Sequence, residues 1–162
     1  MKWLDGEGHP FRSSGGDDPA ADLSVLLGTQ LLGVLITVGE GGPHGSLVAV
    51  LPSPDLCELF FATSRATLKY ENLLRQPQVA LLMDNRSNRA GNFHLAAAVT
   101  AYGPAREAGG EERVSVAEAF LARHPRLRDF VDSPDCALVR VTVERYRLVR
   151  RFQDVTILVP FR

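Results

Sequence analysis

The sequence predicts a mostly-β fold, an antiparallel barrel of six to seven strands with short flanking helices. Three observations carry that prediction. Short apolar runs at residues 33–38, 45–51 and 56–63 follow one another with only the turn sequences EGGPHG and PSPD between them, the spacing of an antiparallel meander. The last third alternates apolar and charged positions over residues 136–149 and resumes over 155–159, the period of a strand. Strands and helices nowhere alternate in the βαβ order that builds a parallel sheet.

Taken in order, residues 5–19 are rich in Gly, Ser, Asp and Pro and bury too little apolar surface to offset ordering. The chain is therefore expected to divide into a flexible arm, 1–18, and one folded domain, 19–162. Asp18 and Pro19 supply an acidic cap and a first-turn proline for a helix whose apolar positions run from Leu23 to Leu31. In the strand that follows, over 45–51, every position but Ser46 is apolar, so both faces are expected to be covered, inside a barrel or under a partner. Residues 67–76 favour a helix, which Pro77 stops before a strand at 79–84. The polar stretch DNRSNRAGN reads as a loop. A long strand rich in small residues spans 95–105, with Gly103-Pro104 breaking or bending its end. Helices at 111–123 and 125–131 meet at His124-Pro125.

Composition removes several function classes. A net charge of -1 and the lack of any extended Lys/Arg cluster argue against nucleic acid as a partner. The Arg-rich stretch 145–151 alternates with Val, Tyr and Leu, like the outward face of a strand. Cys57 and Cys136 lack metal-ligand spacing and read as buried thiols, and no pair among the four histidines has metal-ligand spacing either. There is no apolar stretch of signal-peptide length and none near the ~20 residues of a membrane span, so a cytoplasmic protein without membrane contact is expected.

The chemistry concentrates in LFFATSRATLKYENLLRQPQVALLMDNRSN. An apolar strand empties into Thr63, Ser64 and Arg65, and Lys69 follows at the start of a helix. Hydroxyls, turn amides, two positive charges and a helix N-terminus together suit a phosphate. Thr and Ser in such positions also serve as ordinary N-caps.

The segment resembles the FMN-binding split β-barrel family related to pyridoxamine 5′-phosphate oxidase. The matching residues are Thr63, Lys69, Tyr70, Asn72, Leu73, Pro77 and the strand 79–83, with Gly45-Ser46-Leu47-Val48 upstream and AVTAYGPA at 98–105 downstream. The resemblance implies a split barrel that holds FMN at the interface of a homodimer. It assigns the phosphate to Thr63, Lys69 and Ser46, with Ser64 and Arg65 beside them, and lays the flavin ring along the strand of Ser46, Leu47 and Val48. The loop Asn85-Arg86-Ser87-Asn88 is similar to the flavin-contacting loop of the haem-utilisation branch, which gives Asn85, Arg86 and Asn88 to ring, ribityl chain or phosphate. Tyr70 and Phe93 are near enough to stack on the ring, and His94 is the nearest histidine.

Two departures bear on activity. Ala98-Val99 stands where the vitamin B6 oxidases have Gln before Val, and their C-terminal Arg and His pair has no counterpart before Arg162. No C-terminal histidine follows His124, which argues against haem degradation. The resemblance thus implies an FMN-dependent oxidoreductase of a small substrate, a non-catalytic flavin-binding or redox-sensing module, or a barrel that takes a deazaflavin or haem or has lost its cofactor.

Overall fold

Asp18 starts the first helix as the sequence requires, its carboxylate accepting the amides of Ala20 and Ala21 at 3.0 and 3.2 Å. The computed structural model describes residues 2–4, 18–87, 89, 91 and 96–161. Helix α1 spans Pro19–Thr29 and buries Leu23, Leu26 and Leu27. Its carboxyl end is capped from far along the chain. Arg123 Nη2 donates to the carbonyls of Leu27, Gly28 and Gln30 at 3.1, 3.0 and 2.8 Å, where a cation meets the negative end of the helix.

The strands are β1 (Lys2–Leu4), β2 (Leu32–Gly39), β3 (Gly42–Pro52), β4 (Glu58–Ser64), β5 (Gln78–Asp84), β6 (Ala98–Glu107), β7 (Cys136–Thr142), β8 (Arg145–Arg150) and β9 (Asp154–Phe161). Helix α2 (Leu68–Arg75) lies between β4 and β5. Helix α3 (Gly110–Arg123), a 3-10 turn (Pro125–Leu127) and α4 (Arg128–Val131) lie between β6 and β7. All pairings are antiparallel. The order β6-β5-β2-β3-β4-β7 closes on itself through β6–β7, which makes a six-stranded barrel, and β8, β9 and β1 extend from β6.

Among the described residues nine strands stand where six to seven were expected, for two reasons. Lys2–Leu4, inside the expected arm, pairs with β9 through Lys2↔Phe161 and Leu4↔Val159; residues 5–17 lie outside the described residues. The strand expected over 136–149 is present but divided into β7 and β8. Both run along β6, with Ala105↔Val141 and Tyr102↔Arg145 as the flanking pairs, so three steps on β6 face four on the other strand. That extra residue is a bulge at Val143 and Glu144, opposite Gly103. The Glu144 amide donates to the Tyr102 carbonyl at 2.8 Å and the Val143 amide to the Cys57 carbonyl at 2.9 Å, so the bend leaves neither amide unmet.

β3 also changes its company. Residues 42–49 pair with β2, but β4 joins the opposite edge only at Val50↔Phe61, Leu51↔Phe60 and Pro52↔Leu59. Extended by register, the ladder sets Val48 opposite Thr63 and Ser46 opposite Arg65. Instead β3 and β4 part before those positions, and β4 carries on against β7 as far as Ser64↔Cys136.

Alternation sorts the core into two layers. Leu35, Val48, Val50, Leu59, Phe61, Leu81, Val139 and Tyr146 fill the barrel under α1. Phe60, on the other face of β4, packs outside it with Val116, Phe120, Leu121 and Val131 of the helical segment. Tyr146 is fully buried and donates its hydroxyl to the Leu56 carbonyl at 2.7 Å; burial pushes its phenol far above the ordinary range. Both faces of β3 were expected to be covered, yet Leu47 is 67% exposed in the single chain.

Gly103 packs directly against the backbone of the bulge. A Cβ built there lies 1.9 Å from the Thr142 carbonyl oxygen and 3.0 Å from its carbon, backbone atoms that have no side-chain rotamer to give way. Gly103→Ala is expected to cost about 3 kcal/mol, at the upper end of overpacking penalties, in a denaturant titration. A loss under about 0.5 kcal/mol would show that the bulge moves aside freely.

Candidate functional site

The end of β4, the turn after it and the first turn of α2 form one polar constellation. α2 forms here because Tyr70 and Leu73 pack on the barrel core while Asn72, also buried, donates Nδ2–H to the Thr37 hydroxyl at 3.0 Å. Thr67 occupies the N-cap, but its hydroxyl does not cap the helix. It donates to the Ser64 carbonyl at 2.8 Å and lies 3.1 Å from the Thr63 hydroxyl. The amides of Tyr70 and Glu71 reach the Thr67 carbonyl at 3.0 and 3.1 Å, whereas those of Leu68 and Lys69 meet no acceptor among the described residues. Lys69 is half-buried and forms no ion pair with a described residue. Two open amides and the positive end of a helix lie there with Lys69 in the same first turn, an arrangement suited to an anion.

The other expected residues have distinct places. Thr63 is buried and faces inward with Phe61; Ser46 shares the inward face of β3 with Val48 and Val50, across the gap where β3 and β4 part. Ser64 accepts the Ala66 amide at 3.1 Å on its hydroxyl oxygen. Arg65 is tied into the fold. Its guanidinium pairs with Glu107 and donates to the Pro134 carbonyl at 2.7 Å, and its amide bonds the Asp135 carbonyl at 2.9 Å. Tyr70 donates its hydroxyl to the same carboxylate. The Glu107 bond raises both the Arg65 and Tyr70 pKa values; desolvation alone would push Glu107 up, but the bonds from Arg65 and Tyr70 hold its carboxyl below the ordinary value.

Asn85 and Arg86 lie elsewhere. Asn85 closes the end of the β5–β6 hairpin, its amide donating to the Ala97 carbonyl at 3.2 Å and its Oδ1 accepting the Ala97 amide at 2.8 Å. Arg86 pairs with Asp84 at 3.1 Å. By register Asp84 stands beside Leu32, at one end of β2, while α2 is fastened to Thr37. Five residues of strand, about 17 Å, separate those two points on β2. Asn88, Phe93 and His94 lie outside the described residues.

Between these two groups runs the outward face of the sheet. Its rows read Leu47–Val34–Leu82–Thr100–Arg147 and Gly45–Ile36–Ala80–Tyr102–Arg145. A cleft of about 430 Å³ opens on it beside Leu31, Leu32, Leu47, Leu82 and Arg86, and Leu31 and Leu32 are half-exposed. At the other end Arg145 lies over the Tyr102 ring, 4.5 Å from its centre.

Sequence reasoning missed Thr67 and Glu107. Thr67 had a signal, since it directly precedes the first helical residue. Glu107 had none, standing 42 residues from the Arg65 it holds. Among the described residues no helix is long and apolar enough to cross a membrane, and no group of His, Cys, Asp and Glu is placed to hold a metal ion.

Comparison with known proteins bears on this geometry. The model of the family described as pyridoxamine 5′-phosphate oxidase matches residues 22–150. Among solved structures, the fold is similar to that of the heme binding protein from Mycobacterium smegmatis, with a TM-score of 0.79 and 19% identity over 91% of this chain and 60% of that one. Campylobacter jejuni ChuZ gives 0.77 and 12% over 92% and 64%. HutZ, the heme storage protein of Vibrio cholerae, gives 0.68 and 18% over 82% and 94%. This chain therefore spans less than two thirds of the first two proteins, and at these identities the likeness is one of fold. No protein of curated function matches the chain.

The Glu107 cluster generates a pH prediction. A carboxyl held below its unfolded value adds stability in full above that value, about 4.3 for Glu, and loses it as pH falls through the folded value. Glu107→Gln is expected to lower Tm at pH 7, and the gap from wild type should narrow below about pH 4. A gap constant from pH 7 to pH 3 would show that the charge of Glu107 adds nothing.

Proposed function

We propose that this chain, which belongs to the pyridoxamine 5′-phosphate oxidase family, is a homodimeric FMN-binding flavoprotein that serves as an oxidoreductase of a small molecule. The observation that carries the reading is the open first turn of α2, where Lys69 and the amides of Leu68 and Lys69 lack partners among the described residues. A doubly charged phosphate monoester matches that donor set: amides and a hydroxyl for its oxygens, a cation for its charge. Arg65 is already neutralised by Glu107, so Lys69 is the local charge left for the phosphate.

Bound FMN supplies hydride or electron transfer, which needs few catalytic side chains. The chain's own part is binding and orientation. Lys69 neutralises the phosphate, Ser64 offers a hydroxyl beside it, and Leu47, between Ser46 and Val48, turns its backbone amide and carbonyl to the β3 edge that β4 leaves unpaired. That free edge offers backbone amides and carbonyls to the polar rim of a flavin ring. The apolar rows around Leu47, Val34 and Leu82 support a second copy on the outward face, since a contiguous exposed apolar patch marks an association surface. A partner seated there would also carry its own Asn85–Arg86 corner into the assembly.

Haem is the second reading, favoured by the names of two similar folds. Among the described histidines, His124 is committed to the Val50 carbonyl at 2.9 Å and packs on the Phe120 ring, which leaves His44 on β3 as an axial ligand. The donor set at α2 suits a phosphate better than a porphyrin.

Lys69→Ala is expected to weaken FMN by about 1.5–3 kcal/mol, the range of a charge-assisted contact, and to leave riboflavin, which lacks the phosphate, nearly unchanged. Equal FMN affinity in the mutant would remove Lys69 from the site. Leu47→Glu places a charge on the outward face and should yield a monomer in sedimentation where wild type is a dimer. A wild-type monomer, or a mutant that stays dimeric, would count against this interface.

A further inference from the structure

We propose that Glu107 is a positioning residue of the anion site, gripping both ends of the turn that presents Lys69. The inference rests on the phosphate reading above and adds to it a device located on another strand.

Arg65 and Tyr70 bracket this turn, with Thr67, Leu68 and Lys69 between them. Both reach one carboxylate. Glu107 Oε1 pairs with Arg65 Nη2, while Oε2 accepts Arg65 Nε–H at 3.4 Å and the Tyr70 hydroxyl. Glu107 is itself held, as the last residue of β6, paired with Val139 of β7 where the barrel closes. The remaining donors of Arg65 fix the near end of the turn to the segment before β7, at Pro134 and Asp135. The turn is thus anchored to the closed barrel by side chains, and Thr67 bonds the Ser64 carbonyl instead of capping α2. Together these contacts leave the first-turn amides pointing outward with their acceptor position open.

Charge and positioning make opposite predictions here. Removing the Glu107 carboxylate leaves Arg65 uncompensated, and by charge alone an anion nearby should then bind more tightly. If the carboxylate instead holds the turn, its loss should loosen the amides and weaken anion binding. Tyr70→Phe makes the same separation without any change of charge.

The test is the ratio of riboflavin to FMN dissociation constants, which reports the phosphate contact alone, in wild type, Tyr70→Phe, Glu107→Gln and the control Tyr146→Phe. The control loses the bond to the Leu56 carbonyl in the core, a bond in which neither Arg65, Tyr70 nor Glu107 takes part. The expected result is a fall in the ratio of about fivefold in each of the first two variants, the scale of one lost hydrogen bond. Tyr146→Phe should lower Tm yet keep the wild-type ratio. A ratio that is kept in Tyr70→Phe, or that rises in Glu107→Gln, overturns the positioning role while the phosphate reading stands. A wild type with no preference for FMN over riboflavin overturns the phosphate reading, and this inference with it.

Discussion

The close approach of Gly103 to the Thr142 carbonyl is the constraint on which the rest of this structure depends. β6 serves β8 over Ala98 to Tyr102 and β7 over Ala105 to Glu107, along a single edge, and the bulge at Val143 and Glu144 makes that exchange of partners possible. At the bulge the strand divides into β7 and β8, and the β6–β7 pairs close the six-stranded ring. A glycine is required because a Cβ at that point collides with backbone. Closure at β6–β7 in turn carries β4 against β7 and away from β3, which opens the gap between Ser46–Val48 and Thr63.

Electrostatics then select which positive charge is available. The end of β4 carries Arg65 and Lys69 within five residues, but of the two only Arg65 pairs with a carboxylate among the described residues. Glu107 is drawn below its ordinary range by Arg65 and Tyr70, so the cluster is internally neutral and serves as scaffold. Lys69 remains as the unspent charge at the helix start. The division follows from burial: a charge enters a half-buried corner at tolerable cost when it is paired and hydrogen-bonded.

Much of this was legible from residues. Asp18-Pro19 gave the start of α1, Pro77 the end of α2, and the meander from β2 to β4 lay in the turn residues between apolar runs. The segment from Thr63 to Lys69 pointed to an anion because its signals are local: hydroxyls, a helix start and a lysine. Three features were not legible, each for a tertiary reason. The bulge depends on what faces Gly103 across the sheet. The Arg65–Glu107 pair joins residues 42 positions apart. Asn85 and Arg86 are close to Lys69 in sequence but stand at the other end of β2, a separation set by strand register. The apolar run of β3 implied cover inside a barrel or under a partner, and within one chain Leu47 is 67% exposed, which leaves a partner as its cover.

The most direct test of the account is the visible absorbance of the purified protein after incubation with FMN, with equimolar haem in competition, and removal of unbound ligand by gel filtration. The account predicts retained flavin bands at about one FMN per chain, with haem left behind. Colourless protein, or a haem band retained in place of flavin, would contradict it.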